Sequence, residues 1–156
     1  MDHEIELCVL INKAGKHIAK EDAMKHIGGY FLGLDMSDRT FQKDFRPNGF
    51  PWELVKCQDF FCPVTSLIKE QIDPYNVELH MQVNNETKQK EKTSEMHFKI
   101  DDVISFTSKY IKLDEGDLIM TGTPAGVGPV KLGDNVQATA SVEGKVVAEL
   151  KCEVTK

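Results

Sequence analysis

Several signatures are missing, and each absence excludes a class of function. The chain has four cysteines, Cys8, Cys57, Cys62 and Cys152. No two of them have CxxC spacing and none has a histidine at zinc-site distance, so they read as reduced thiols rather than a metal knuckle or a disulfide framework. Cys8 and Cys152 fall on strand-like segments and are expected to be buried. No apolar run approaches the ~20 residues of a membrane span. The first residues are acidic, so neither a signal peptide nor an Arg-rich transit peptide is read, and the reduced thiols point to an intracellular protein. Clustered basic charge is lacking as well. The formal net charge is −6, and the one run rich in lysine, Lys88-Gln89-Lys90-Glu91-Lys92, is diluted by acid and amide and reads as a solvated strand face. Nucleic acid is therefore not an expected partner. Gly-Lys-Ser/Thr does not occur, which excludes a Walker loop, and there is no dinucleotide fingerprint.

What is present suits one domain, 1–156, with a real hydrophobic core. Ile5, Leu7, Val9 and Ile11 alternate with their neighbours and predict a strand from about Glu4 to Ile11. A turn at Asn12–Lys16 and a short return strand over 16–19 follow. Glu21 and Asp22 open a short helix that Gly28-Gly29 ends. Tyr30–Leu34 is apolar throughout and predicts a strand buried on both faces, ending in Asp35. Ser37 is placed to N-cap a helix carrying Arg39 and Gln42. Leu54–Cys57 reads as a short strand. Val77–Val83 alternates strictly, turns at Asn84-Asn85 and returns over Glu86–Lys92. Asp101 caps a helix to Ile111 that turns Val103, Ile104, Thr107, Tyr110 and Ile111 inward. Leu118–Thr121, Asn135–Val142 and Lys145–Val154 complete a set of mostly hairpin-connected strands. The fold class is α+β, mostly β: a mixed, largely antiparallel sheet forming a roll or sandwich with few short helices.

Three carboxylates carry the chemical signal. Successive strand side chains point to opposite faces, so Glu4 and Glu6 share one. Asp35 ends an apolar strand, where an ionised side chain needs a partner. Three carboxylates with open positions for water suit Mg²⁺, Mn²⁺ or Ca²⁺. On spacing alone, Glu-x-Glu reads more readily as an exposed strand face and Asp35 as a helix cap. Lys56, in an apolar neighbourhood, suits either enolate stabilisation or an ordinary surface position. Arg39 and Gln42 share a helix face, where the arginine fork can recognise a carboxylate or simply meet solvent. The stretch Gly122-Thr123-Pro124 with Gly126 and Gly128 is either a turn or a loop that brings backbone and the Thr123 hydroxyl close to an anion.

Taken in order, these stretches resemble the fumarylacetoacetate hydrolase superfamily, and within it the small acylpyruvase and oxaloacetate decarboxylase members. The resemblance rests on His3–Leu7, Gly28–Met36 with Arg39 and Gln42, Pro51-Trp52 with Lys56, Thr93–Met96, and Gly116–Pro124 with Gly126–Pro129. It implies a Mg²⁺ or Mn²⁺ held by Glu4, Glu6 and Asp35. It also implies a small keto-acid substrate bound by Arg39, Gln42, Lys56 and Thr123, with Lys56 catalytic. The implied activity is cleavage of 3-acylpyruvates or decarboxylation of oxaloacetate through a pyruvate enolate, in a homodimer. Oxaloacetate keto–enol tautomerisation and an inactive ligand-binding role are the alternatives. In the family a lid whose His and Glu activate water precedes the Glu-x-Glu strand. Here that strand comes first, so the chain is read as a lid-lacking member. Cys57-Gln58 stands where the family usually has Ser-Phe or Gly-Phe after the lysine.

Overall fold

The computed structural model describes residues 1–155. Its centre is a strand buried on both faces. Strand β1 (Asp2–His3) leads directly into β2 (Ile5–Ile11). β2 lies between β3 (Ile27–Leu34) and β6 (Leu118–Met120), and both pairings are antiparallel. A second sheet runs in the order β5-β4-β8-β9, from β4 (Glu78–Val83), β5 (Glu86–Lys92), β8 (Asn135–Val142) and β9 (Lys145–Glu153). β1 pairs with β7 (Gly128–Pro129) in a two-stranded ribbon. All ladders are antiparallel. The two larger sheets pack face to face, β2 against β4 and β3 against β8 and β9. The expected mostly β sandwich with few short helices is the fold observed.

Alternation decides which side of β2 does what. Ile5, Leu7, Val9 and Ile11 are fully buried in the core with Leu79, Met81, Ala138 and Ala140 from the opposing sheet. Burying such side chains stabilises by about 1.5–3 kcal/mol each. The opposite face of β2 carries Glu6 and Cys8, both also buried.

Several local expectations are corrected. No strand returns over 16–19. That segment is stitched to helix α3 (Ile100–Tyr110) instead, with the Ile18 amide donating to Ser108 Oγ (2.9 Å) and Ser105 Oγ donating to Ile18 O (3.0 Å). Residues Lys20–His26 form a 3-10 helix, and Gly28-Gly29 lie within β3 rather than ending that helix. A Cβ on Gly29 would sit 2.4 Å from the Leu67 side chain, so close packing explains that glycine. Helix α1 (Arg39–Asn48) is capped by Asp38, whose side chain accepts from the Thr40 and Phe41 amides; Ser37 is not the cap. Leu54–Lys56 belongs to a one-turn helix, α2 (Glu53–Lys56), not a strand. The helix in which Asp101 was expected as cap starts two residues earlier, at Ile100, with Lys99 as cap. On α3 the inward residues are Ile100, Ile104 and Ser108, whereas Tyr110 and Ile111 are exposed. The Ser108 hydroxyl takes the inward position because it satisfies the Ile18 backbone. All four cysteines are free thiols; Cys8 is buried as expected, but Cys152 is exposed. No helix is long and apolar enough to cross a membrane.

Candidate metal centre

The strand register builds the site. Ile5 faces Leu34 and Glu6 faces Gly33 across the β2–β3 ladder. Continued one residue, the same register sets Glu4 opposite Asp35, whose amide donates to Glu4 O at 2.8 Å. Glu4 and Glu6 share a face by alternation, and Asp35 joins them from the neighbouring strand end. Gly33, opposite Glu6, adds no side chain to the space; a Cβ there would lie 2.7 Å from Cys8 Sγ. One carboxylate oxygen of each of Glu4, Glu6 and Asp35 lies within 4.8 Å of the others.

Two cations close one side of this cluster. Lys56, delivered by α2, places Nζ 2.7 Å from Asp35 Oδ2 and 3.2 Å from Glu4 Oε1. Arg39, in the first turn of α1, donates from Nε to Asp2 Oδ2 (2.7 Å), from one terminal nitrogen to Gln42 Oε1 (2.7 Å) and from the other to Glu4 Oε1 (3.1 Å). Ser37 Oγ adds a bond to the same Glu4 oxygen at 2.9 Å. Arg39 and Gln42 therefore meet as their helical spacing predicts, and Lys56 is an ion-pairing residue of the cluster rather than a surface lysine.

Glu6 is different. It is 3% exposed and accepts one hydrogen bond, from the Gly122 amide at 2.6 Å. Burial pushes its carboxyl up to about 7; the Gly122 N–H and the Lys56 charge pull against that, while Asp35 and Glu4 add to it. A buried carboxyl held among two others is the environment in which a hard divalent cation replaces a proton. The donors are all carboxylate oxygens. The nearby sulfur of Cys8 is kept a protonated thiol by burial and the adjacent Glu6, which does not suit a soft metal.

The Gly122–Pro124 loop approaches the cluster differently from expectation. β6 ends where Met120 faces Cys8. Beyond it the chain peels away, and side chains replace the ladder. Thr121 Oγ1 donates to Leu7 O (2.7 Å) and Thr123 Oγ1 donates to Ile5 O (2.8 Å). The Thr123 hydroxyl is thus engaged with β2 through its donor. The loop's contact with the cluster is the Gly122 N–H.

Two residues with contacts to this assembly are not singled out by the sequence, Asp2 and Gln89; Ser37 is read there only as a helix cap, and Gly122 only as part of its loop. Gln89 is 1% exposed and joins His3, Ile5, Thr123 and Pro124. The lysine run around it looked solvated, yet Lys88, Lys90 and Lys92 all occupy one parity. Strand alternation put Gln89 on the other face, and that was the available signal.

Residues 1–154 match the family model described as fumarylacetoacetate (FAA) hydrolase, C-terminal. The mouse protein named oxaloacetate tautomerase FAHD1, mitochondrial, is 44% identical over 153 residues, covering 97% of this chain and 68% of its own length. The human protein of the same name is 43% identical over 155 residues, covering 98% of this chain and 69% of its own length. Among solved structures, fumarylpyruvate hydrolase from Pseudomonas aeruginosa in complex with Mn²⁺ and pyruvate is similar with a TM-score of 0.91 and 33% identity. That likeness covers 99% of this chain and 65% of the other.

Proposed function

The chain belongs to the fumarylacetoacetate hydrolase family, and from that premise we propose that it is a divalent-metal-dependent enzyme of small keto acids, acting on oxaloacetate through enolate chemistry. The observation that carries this reading is Lys56, whose ammonium lies 2.7 Å from Asp35 and 3.2 Å from Glu4 at the edge of the carboxylate cluster. Glu4, Glu6 and Asp35 would hold Mg²⁺ or Mn²⁺; the Mn²⁺ complex of the Pseudomonas relative supports the class of metal. When bound, the cation supplies Lewis acidity toward the substrate's keto group and neighbouring carboxylate. Lys56 places positive charge and a hydrogen-bond donor beside the oxygen where negative charge collects as C3 gives up its proton to solvent water. Arg39 has donors beyond the three already engaged and orients a substrate carboxylate, with Gln42 fixing the guanidinium plane. The backbone of Thr123, not its hydroxyl, is the part of that residue left to meet substrate.

Keto–enol tautomerisation of oxaloacetate is the reaction this arrangement supports best, and the mouse and human relatives bear that name. Cleavage of 3-acylpyruvates is the second reading, supported by the name of the Pseudomonas relative. It also requires a base for water. His3, the histidine nearest the ligands in sequence, is fully buried with Nδ1 bonded to Gln89, so it is not placed to serve. A mitochondrial location is proposed from the names of the same relatives. A homodimer is proposed from the family, with the exposed apolar side chains Phe106, Tyr110 and Ile111 available for burial between copies; sedimentation velocity tests it.

The activity test follows the decay of enol-oxaloacetate absorbance, alongside a coupled assay for pyruvate release from oxaloacetate and acetylpyruvate. With Mg²⁺ or Mn²⁺ the enol decay is expected to accelerate. EDTA, Asp35→Ala and Glu6→Ala should each abolish that acceleration, and Lys56→Met should lower it by 10²-fold or more, on the order of one electrostatic stabiliser. A folded, metal-loaded chain that turns over none of these substrates would make it a binding member of the family. A chain that binds no divalent cation at millimolar concentration overturns the reading.

A further inference from the structure

Gln89 lies in β5, in the sheet opposite the carboxylates, and touches none of them. It nevertheless connects the two segments that shape the cluster. Its side chain makes four contacts: Oε1 with the Ile5 amide (3.2 Å) and His3 Nδ1 (2.9 Å), and Nε2 with Thr123 Oγ1 (2.8 Å) and Pro124 O (2.8 Å).

The directions of these bonds are fixed by chemistry. A backbone N–H only donates and a backbone carbonyl only accepts. The Ile5 amide therefore faces Oε1, and Pro124 O faces Nε2. His3 must then donate from Nδ1, and its Nε2 is buried without a partner among the described residues. Thr123 accepts from Nε2 and donates its own proton to Ile5 O. The result is a closed ring: Ile5 N–H to Gln89, Gln89 to Thr123, Thr123 back to Ile5 O.

The ring grips the residue between two ligands. Ile5 separates Glu4 from Glu6, so displacing its backbone moves both. On the β3 side a ladder holds it. On the other side β6 has already ended at Met120, opposite Cys8, and the ring takes the place of a strand there. The same ring seats Thr123, whose neighbour Gly122 donates to Glu6. The loop then returns against β5 so closely that a Cβ on Gly126 would lie 2.1 Å from Lys88 O, one residue from Gln89.

We infer that Gln89 is a positioning residue for the carboxylate cluster, locking the strand that carries Glu4 and Glu6 to the Gly122–Thr123 loop and thereby setting the affinity of the site for a divalent cation. The inference rests on the metal-centre reading above and adds to it a residue that touches neither cation nor substrate. Gln89→Met keeps the volume and removes every bond, while Gln89→Asn keeps the amide but is too short to reach both segments.

The test is a calorimetric titration of Mn²⁺ into metal-free protein. Both variants are expected to weaken Mn²⁺ binding by roughly 10–100-fold, whereas Val136→Ala, a core truncation in β8 that lowers the melting temperature without touching the ring, changes it by less than about twofold. Gln89 variants that bind Mn²⁺ as tightly as wild type overturn this inference and leave the metal centre standing. A loss in Val136→Ala equal to theirs overturns it too, because the effect is then general destabilisation. A wild type that does not bind Mn²⁺ overturns the metal-centre reading and this inference together. Should both Gln89 variants fail to fold, Thr123→Val opens the same ring at its third member. It is expected to show the same weakening, and an unchanged affinity there overturns the inference.

Discussion

Glu6 is the residue where the needs of the core and of the site oppose each other. Its burial pushes the carboxyl up to about 7 from an ordinary 4.5. In metal-free protein the folded state then binds a proton that the unfolded state releases across that interval. Stability is intact below the unfolded value, falls as pH rises from about 4.5 to about 7, and levels off above, a loss on the order of 3 kcal/mol at most. A divalent cation bound as proposed would compete with this proton, and its affinity is expected to rise over the same range. The exposed carboxylates Asp22, Asp102 and Asp134 titrate low because of their hydrogen bonds and act in the opposite direction at more acid pH. The informative quantity is therefore a difference. In EDTA, the melting temperature of wild type relative to Glu6→Gln should fall between pH 4.5 and 7, with the variant the more stable at pH 8. Parallel pH profiles would show that Glu6 ionises freely in the fold.

At the scale of elements, Ser37 and Asp38 show how close a sequence reading can come and still exchange two roles. Both can cap a helix, and nothing local separates them. The structure does so through a distant residue: Ser37 turns to Glu4, and Asp38 takes the amides of Thr40 and Phe41. Asp38→Ala should cost about 1 kcal/mol of stability in denaturant unfolding, with little effect on Mn²⁺ affinity. Ser37→Ala should do the reverse, weakening the metal while leaving the midpoint nearly unchanged. Equal behaviour of the two variants would contradict the division of roles. Elements with strong local signals were legible throughout, such as the Asn84-Asn85 turn, whose residues both take positive φ, and the alternating β4 strand. The one-turn α2 helix and the missing strand at 16–19 were not. Each is decided by where its backbone finds partners, Trp52 and Glu53 in one case and two serines of α3 in the other.

For the whole molecule, the cluster was legible because its members lie on the best-defined strands. Glu4, Glu6 and Asp35 converge through a register of two apolar runs that the hydrophobic pattern already pairs. Lys56 and Arg39 arrive from helices whose residues were identified but whose approach no local rule predicts. The hidden part was polar and central: Gln89 comes from the other sheet, 84 residues from Ile5. Its face depends on parity in a strand whose charged neighbours dominate the composition.

β2, sealed on one side by the core and on the other by Glu6, Cys8 and the ring, also serves as a gauge. Its amides are therefore expected to exchange with deuterium through opening of the whole fold rather than through local fraying. A cation that binds only the folded chain lowers the population of that opened state by its own binding free energy. The solvent-side carboxylates Glu4 and Asp35, 15% and 21% exposed at their side chains, leave the cluster open to a cation without any such opening. At Mn²⁺ a hundredfold above its dissociation constant, the slowest amides of Ile5–Ile11 should exchange about a hundredfold more slowly. Occupancy of the centre is then legible, residue by residue, in the hydrogens of the strand that carries it.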